Sequence, residues 1–259
     1  MAFEPIVLKE EGNHKFVWLS IDEAEMEKGI LTNQYLLMVG DKGMVLDPGG
    51  PLVFERVFKA VTRFVDQNKV EYIFLSHPDP DVISGMQLWL GYCPNAKVLI
   101  SDLWDRFLPH VGIDLKMENV MRIPWQGMEI KLGGDTIKII PAHYLHSPGN
   151  FHVYDPVSKV YFSGDLGAAI FPKGKWYLIV EDFEEHKKYM EAFHRVYLAN
   201  KKALDVWLNL IKGLDIEIIA PQHGAVFEGE NVKKFLDWLR SLDKIGTDVL
   251  EESLARSKA

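Results

Sequence analysis

Leu75-Ser76-His77-Pro78-Asp79-Pro80-Asp81-Val82-Ile83-Ser84-Gly85 follows directly on the apolar run Tyr72-Ile73-Phe74 and alternates three potential metal ligands, His77, Asp79 and Asp81, with two prolines. The run before it has the length and residue types of a buried strand, and Ser84-Gly85 leading into Met86-Gln87-Leu88-Trp89-Leu90 reads as a helix start. The three polar residues are therefore expected on a strand-to-helix loop. Pro78 and Pro80 fix φ at about −65° and restrict the residue before each, so the loop is stiff before any ligand arrives. Taken alone, the same stretch also reads as a solvated turn rich in Pro and Asp.

Upstream, Gln34-Tyr35-Leu36-Leu37-Met38-Val39 and Met44-Val45-Leu46 read as strands joined through Gly40-Asp41-Lys42-Gly43, and Asp47-Pro48-Gly49-Gly50 ends the second. In Phe54, Val57, Phe58, Val61, Phe64 and Val65 the apolar spacing changes to three and four, which predicts an amphipathic helix from about 51 to 68. Downstream, Ala96 to Ile100 adds a strand and Leu103 to Leu108 a helix. From Met128 the chain turns β-rich, with strands over Glu129 to Leu132, Thr136 to Ile140, Phe151 to Tyr154 and Val160 to Ser163, the last running into Gly164-Asp165-Leu166-Gly167. Helices are expected over about 183–199 and 201–212, then a strand from Glu217 to Ala220 that delivers Pro221-Gln222-His223-Gly224, and a helix from Val232 to Leu239. His77, Asp165 and His223 each come just after an apolar strand, and His146 lies just past a hairpin, the positions where an α/β sheet places its binding crevice. Each half offers strands, a polar strand-end loop and helices, which predicts a four-layer sandwich with helices outside two facing sheets.

With 259 residues, 47% of them hydrophobic and 12% aromatic, the chain can bury a large core. A net charge of −8 without a block of Lys or Arg argues against nucleic acid or an anionic membrane as partner. From Met1 to Phe16 no apolar run is long enough for a signal peptide or membrane span, so the cytoplasm is the expected location. Cys93 is the single cysteine, which excludes an intrachain disulfide and a Cys-rich metal site; any metal must be held by nitrogen and oxygen.

In their order, His77-x-Asp79-x-Asp81, His146, Asp165 and His223 resemble the dinuclear site of the metallo-β-lactamase superfamily, with Val45-Leu46-Asp47-Pro48-Gly49 at its early strand-end aspartate and Phe162-Ser163-Gly164-Asp165 at its bridging-aspartate strand. The resemblance covers nearly the whole chain. It implies a metallo-β-lactamase fold, α/β (α+β) in four αβ/βα layers, formed by residues 1–259 as a single domain with a loosely packed helical tail over 243–259. The superfamily's common hydrolase motif has His where this chain has Asp79, and His again where it has Val82. With a carboxylate at the first of these positions the chain is more similar to the flavodiiron proteins, and most of all to stand-alone oxygen-binding diiron proteins with His-x-Asp-x-Asp; His146-Ser147-Pro148-Gly149-Asn150 also fits that branch. Flavodiiron proteins carry a flavodoxin domain after the lactamase-like one; the sequence ends at Ala259, too soon for it, so no flavin is expected on this chain.

Carried over residue by residue, the resemblance implies His77, Asp79 and His146 on one metal, Asp81 and His223 on the other, and Asp165 between them. Three carboxylates then face three imidazoles, and two divalent ions are left with one excess positive charge that a bridging hydroxide cancels. A carboxylate at Asp79 favours harder, more oxidisable ions, so two irons with an oxo or hydroxo bridge are expected, with zinc or manganese as substitutes. Val82 leaves the second metal an open position. The expected function is dioxygen binding by a non-haem diiron protein, as a sensor or carrier or as the terminal site of an oxygen or nitric oxide reductase fed by an external flavoprotein or rubredoxin. A signalling partner and a homodimer are also entertained. The alternatives are a hydrolase that uses a hydroxide held by two metals about 3.5–4 Å apart, and a scaffold whose metal site is vestigial. Asp47, His143 and Tyr197 are candidates for supporting the ligands from behind or lining the pocket; His14, His110, His152, His186 and His194 read as surface or hydrogen-bonded residues.

Overall fold

Apolar runs without polar interruption are the mark of strands covered on both faces, and the strands around the site have that composition. The computed structural model describes residues 3–22, 29–114 and 119–257. In it β3 (Tyr35–Val39) and β4 (Lys42–Leu46) form the expected hairpin. Tyr35, Leu37 and Val39 point into the space between two sheets, whereas Leu36 and Met38 point outward against helices. The same division recurs in the other half, where Phe162 faces the centre and Tyr161 faces the outer helices. Three apolar layers of packing between four structural layers follow.

The first sheet has the order β1 (Ile6–Glu11), β2 (His14–Trp18), β3, β4, β5 (Val70–Phe74), β6 (Lys97–Ser101) and β7 (Val120–Ile123), antiparallel up to β4 and parallel from there. In the second, β8 (Met128–Leu132), β9 (Asp135–Pro141), β10 (Phe151–Asp155) and β11 (Val160–Phe162) pair in succession; β11 then pairs in parallel with β12 (Ile218–Ala220), which pairs with β13 (Phe227–Glu228). Two parallel registers place the site: Leu46 lies beside Phe74, and Phe162 beside Ala220. The chain therefore leaves each sheet at adjacent strand ends, at Asp47 and Ser76 in one and at Ser163 and Pro221 in the other.

Helices α1 (Phe54–Val61), α2 (Pro80–Ile83) and α3 (Met86–Tyr92) cover the first sheet, and α4 (Phe183–Tyr197), α5 (Lys201–Ile211) and α6 (Glu230–Ser241) the second. Trp89 of α3 is fully buried; its ring meets Phe54 of α1 edge-on at 5.4 Å and its N–H donates to Pro48 O at 3.3 Å. Gly85 lets α3 start against the chain that leaves β4, because a Cβ there would lie 2.3 Å from Gly49 O. The start of α7 (Thr247–Arg256) is pinned by Gly246 N–H donating to Arg195 O at 2.7 Å, and the helix buries none of its residues. No helix among the described residues is long and apolar enough to cross a membrane.

Several local expectations change. The helix predicted over about 51–68 stops at Val61, and a 3₁₀ turn at Gln67–Lys69 follows, because the Asp66 side chain accepts from Asn68 N–H and gives the backbone a local alternative to the helix. The helix expected over Leu103 to Leu108 is a 3₁₀ segment, Asp105–Val111, containing Pro109. The 79–83 stretch, expected as a loop, is helical in all but its first residue: Asp79 is the residue before α2, Pro80 opens it, and Asp81 lies in its first turn.

Candidate metal centre

Each side chain of the sequence-derived set arrives on a strand end or on a loop that closes on itself. His77 follows β5, and its Nδ1 meets Ser76 Oγ at 2.8 Å; Ser76 Oγ donates to Asp47 Oδ2 at 2.5 Å, and Ser76 N–H donates to Asp47 Oδ1 at 2.8 Å. The buried Asp47–Ser76 pair thus fixes the ring and turns Nε2 toward the opposite sheet. His146 sits in a loop tied by Ala142 N–H to Asn150 O at 2.9 Å and by Tyr144 N–H to Ser147 O at 3.0 Å. Asp165 lies in a turn closed by Leu166 N–H donating to Ser163 O at 3.0 Å, and Gly167 N–H donates to His194 Nε2 at 2.9 Å. His223 follows β12 and donates from Nδ1 to Leu31 O at 2.7 Å, which leaves Nε2 free to face inward. Gly224, at φ +90°, makes the turn behind it, where a Cβ would come within 2.8 Å of Ala169 N.

The six side chains converge. His146 Nε2 lies 3.1 Å from Asp165 Oδ2 and 3.5 Å from Asp79 Oδ2; His77 Nε2 lies 3.6 Å from Asp79 Oδ2 and 3.8 Å from Asp165 Oδ1. His77, Asp79, His146 and Asp165 each offer one donor atom, and all four atoms lie within 4.8 Å of one another. On the other side His223 Nε2 lies 3.3 Å from Asp81 Oδ2 and 3.4 Å from Asp165 Oδ1. Asp165 therefore stands between two groups. Its Oδ2 is turned to His146, and its Oδ1 to His77 and His223.

These separations fit metal ions better than ion pairs. Two donors at about 2.1 Å from a shared ion sit about 3.0–3.8 Å apart for coordination angles from about 90° to 130°, whereas a charge-assisted N–H···O bond draws in to about 2.7–2.9 Å. His77 Nε2 and Asp165 Oδ1 are buried without a hydrogen-bond partner, and each such atom left unsatisfied costs about 1–3 kcal/mol. A shared cation satisfies both.

The charges point the same way. Burial works against a charge on His77, but Asp165, Asp79 and Asp47 outweigh it and raise the imidazole to about 9. His223 is likewise raised to about 9, burial being overcome by Asp165 and Asp81. Burial favours a neutral Asp165, yet His223, His77 and His146 hold its carboxyl far below the usual range. Burial pushes Asp47 up to about 7 against the pull of His77 and Ser76. Protons on the imidazoles thus occupy the place of a cation, and metal loading must displace them.

Asp47 sits behind His77, as described. The Tyr197 ring lies 5.2 Å from His146 and stacks on Phe193 at 4.2 Å. His143 turns elsewhere: it stacks on Trp125 at 3.6 Å and donates from Nε2 to Trp125 O at 2.7 Å, so the hydrogen bond to a ligand carboxylate considered from its spacing is replaced by one to a backbone carbonyl. Val82 is fully buried among the residues that pack α1 and α3 and brings no donor. The sequence reading missed Ser76, Gln222, whose Nε2 donates to Asp81 Oδ2 at 3.1 Å, and His194, which holds the Asp165 turn. Ser76 was discoverable as the neighbour of a ligand histidine. His194 was not, since its partner is a backbone N–H remote in sequence.

Ser76→Ala is expected to keep the fold and lower metal affinity by about 10–100-fold, the usual cost of losing a group that orients a ligand. A chelator competition titration measures this, and unchanged affinity would contradict the role given to Ser76.

A family model described as ODP family beta lactamase matches residues 30–224. A solved structure described as the peroxy diiron species of the chemotaxis sensor ODP is 43% identical, covers 96% of this chain and 99% of that one, and superposes with a TM-score of 0.85. The apo state of chemotaxis sensor ODP from T. denticola, also 43% identical, gives 0.83 and covers 96% and 98%. A flavo di-iron protein mutant from Thermotoga maritima, 17% identical, shares the fold at a TM-score of 0.71, covering 92% of this chain and 62% of that one. Among curated sequences, a putative diflavin flavoprotein of Synechocystis is 23% identical over 227 residues, covering 84% of this chain and 37% of its own length. The chain spans 58% or less of the first curated relatives it matches.

Proposed function

We propose, from the premise that this chain belongs to the ODP beta-lactamase family, that it is a cytoplasmic non-haem diiron protein that binds dioxygen and acts as a sensor. The observation that carries the proposal is the convergence of three carboxylates and three imidazoles around buried atoms, His77 Nε2 and Asp165 Oδ1, that have no hydrogen-bond partner. His77, Asp79 and His146 would hold one ion, Asp81 and His223 the other, and Asp165 both. Iron, when bound, supplies the reversible electron donation that dioxygen binding requires. An oxygen-rich donor set without thiolate suits iron or manganese over softer ions.

The chain's own residues supply the rest. Asp47 and Ser76 orient His77, Leu31 O orients His223, and His194 fixes the Asp165 turn. The Phe193 and Tyr197 rings lie 6.2 and 5.2 Å from the His146 ring and form the wall beside it. The sensor reading is supported by 43% identity, over nearly the full length of both chains, to a protein described as a chemotaxis sensor. A reductase would need repeated delivery of electrons, so the two readings differ in stoichiometry. Ferrous protein titrated with dioxygen in the absence of reductant is expected to develop a visible absorption band that saturates at about one dioxygen per metal pair, with no further uptake when a reduced flavoprotein or rubredoxin is added. Continuous consumption after that addition would favour the reductase, and no uptake at all would remove the proposal.

A further inference from the structure

Outside the ligand set, one buried polar cluster does more than satisfy itself. His152 of β10, Tyr161 of β11 and Trp207 of α5 are all at most 2% exposed. Trp207 Nε1–H donates to Tyr161 Oη at 3.0 Å, and an indole nitrogen can only donate. The phenol's own proton is therefore directed to its other partner, His152 Nδ1, also at 3.0 Å. That assigns the imidazole proton to Nε2, which is buried with no partner. Burial pushes His152 down to about 3 and Tyr161 well above its usual value, so both are neutral at rest. His152 also feels the charges of His77 and Asp165. Tyr161 is four residues before Asp165 on the same strand exit, a separation of at most about 14 Å along the chain.

A buried neutral phenol hydrogen-bonded to a neutral imidazole is the arrangement a tyrosine needs in order to lose one electron, because an oxidised phenol is a strong acid and hands its proton to even a weak base. We infer that Tyr161 is a one-electron donor to the dinuclear centre, with His152 as its proton acceptor and Trp207 as the group that holds the phenol in place. The inference rests on the diiron reading above. In the step, dioxygen or hydrogen peroxide is the oxidant that takes a bound metal pair above the diferric level; Tyr161 gives the pair one electron and lowers it by one oxidation equivalent, its O–H bond breaks, the proton moves to His152 Nδ1 to give an imidazolium, and a neutral phenoxyl radical remains, until one electron from a reduced flavoprotein or rubredoxin and the proton returned by His152 restore the phenol. The aromatic edges continue outward, with Trp207 5.8 Å from His152 and 6.0 Å from Tyr161 between ring centres. That gives the restoring electron a route from α5.

The test uses the full iron-loaded chain, mixed anaerobically with dioxygen or with hydrogen peroxide and frozen at intervals for electron paramagnetic resonance. An organic radical signal is expected that narrows when the protein is made with ring-deuterated tyrosine and falls at least tenfold in Tyr161→Phe, whose iron content stays that of the wild type. The labelled wild type keeps the assignment of the radical to tyrosine testable even if the variant folds poorly. An undiminished signal in Tyr161→Phe, a signal insensitive to tyrosine labelling, or iron that oxidises with no radical would each overturn the inference while the diiron reading stands. A chain that takes up no iron would fail both.

Discussion

Asp165→Ala is expected to lose both metal ions, lowering affinity by more than about 100-fold, since removal of a merely orienting group already costs about 10–100-fold. The reason is its position. One carboxylate faces all three imidazoles, so its loss takes a donor from each ion and the charge that draws protons or cations to His77 and His223. Asp165→Asn separates the two contributions, keeping the shape and removing the charge. Metal analysis after dialysis against a weak chelator measures the effect. Full loading of Asp165→Ala would mean that the ions, if any, are held elsewhere.

The metal-free protein is expected to lose stability as pH falls from about 6.5 toward 4, through histidines that are buried neutral. Burial lowers His186 and His194 to about 4, and His152 to about 3, from an ordinary value of 6.5. His194 accepts at Nε2 from Gly167 N–H and donates from Nδ1 to Met190 O, so neither nitrogen has room for a further proton without losing a bond. Between those pH values the unfolded chain binds more protons than the folded one, so the stabilisation present above 6.5 disappears on acidification, by about 3 kcal/mol per histidine when the descent is complete. His77 and His223, raised to about 9, stay protonated in the folded chain while their unfolded counterparts gain protons around pH 6.5, so between pH 7 and about 5.5 they work in the opposite direction and offset part of the loss. Urea unfolding at pH 7, 6 and 5 gives the slope, and His186→Gln with His194→Gln should make it shallower, with His152 keeping its share. A slope unchanged in the double variant would place the acid sensitivity elsewhere.

How far the sequence could be read depended on whether a feature was local. The strands that end at Asp47, Ser76, Ser163 and Pro221 are covered on both faces, so they appear as apolar runs cut by Gly, Pro and Asp, and His77, Asp165 and His223 follow at the cuts. The four layers could be read for the same reason. The two N-terminal strands could not. β1 is a sheet edge with exposed or half-buried residues throughout, and β2 begins with His14, a buried polar residue whose ring meets Asp155 at 2.8 Å and Asp135 at 3.2 Å on the other sheet. Neither gives an alternating pattern. The two-residue β13 and the four-residue α2 fall below the length at which periodicity means anything. In the site, the six converging side chains could be read from motif order, whereas the groups that hold them could not: Leu31 acts through a backbone carbonyl, and His194 through a backbone N–H 27 residues away.

The identity and number of the ions the pocket holds decide between dioxygen binding and hydrolysis. Protein produced with iron supplied and purified without oxygen is expected to carry about two iron ions per chain and to change colour on admission of air; the metal as isolated is the readout, because nitrogen and oxygen sites bind zinc more tightly than ferrous iron in open competition and availability decides what they hold. Two zinc ions per chain with no new absorption on aeration would contradict the diiron reading.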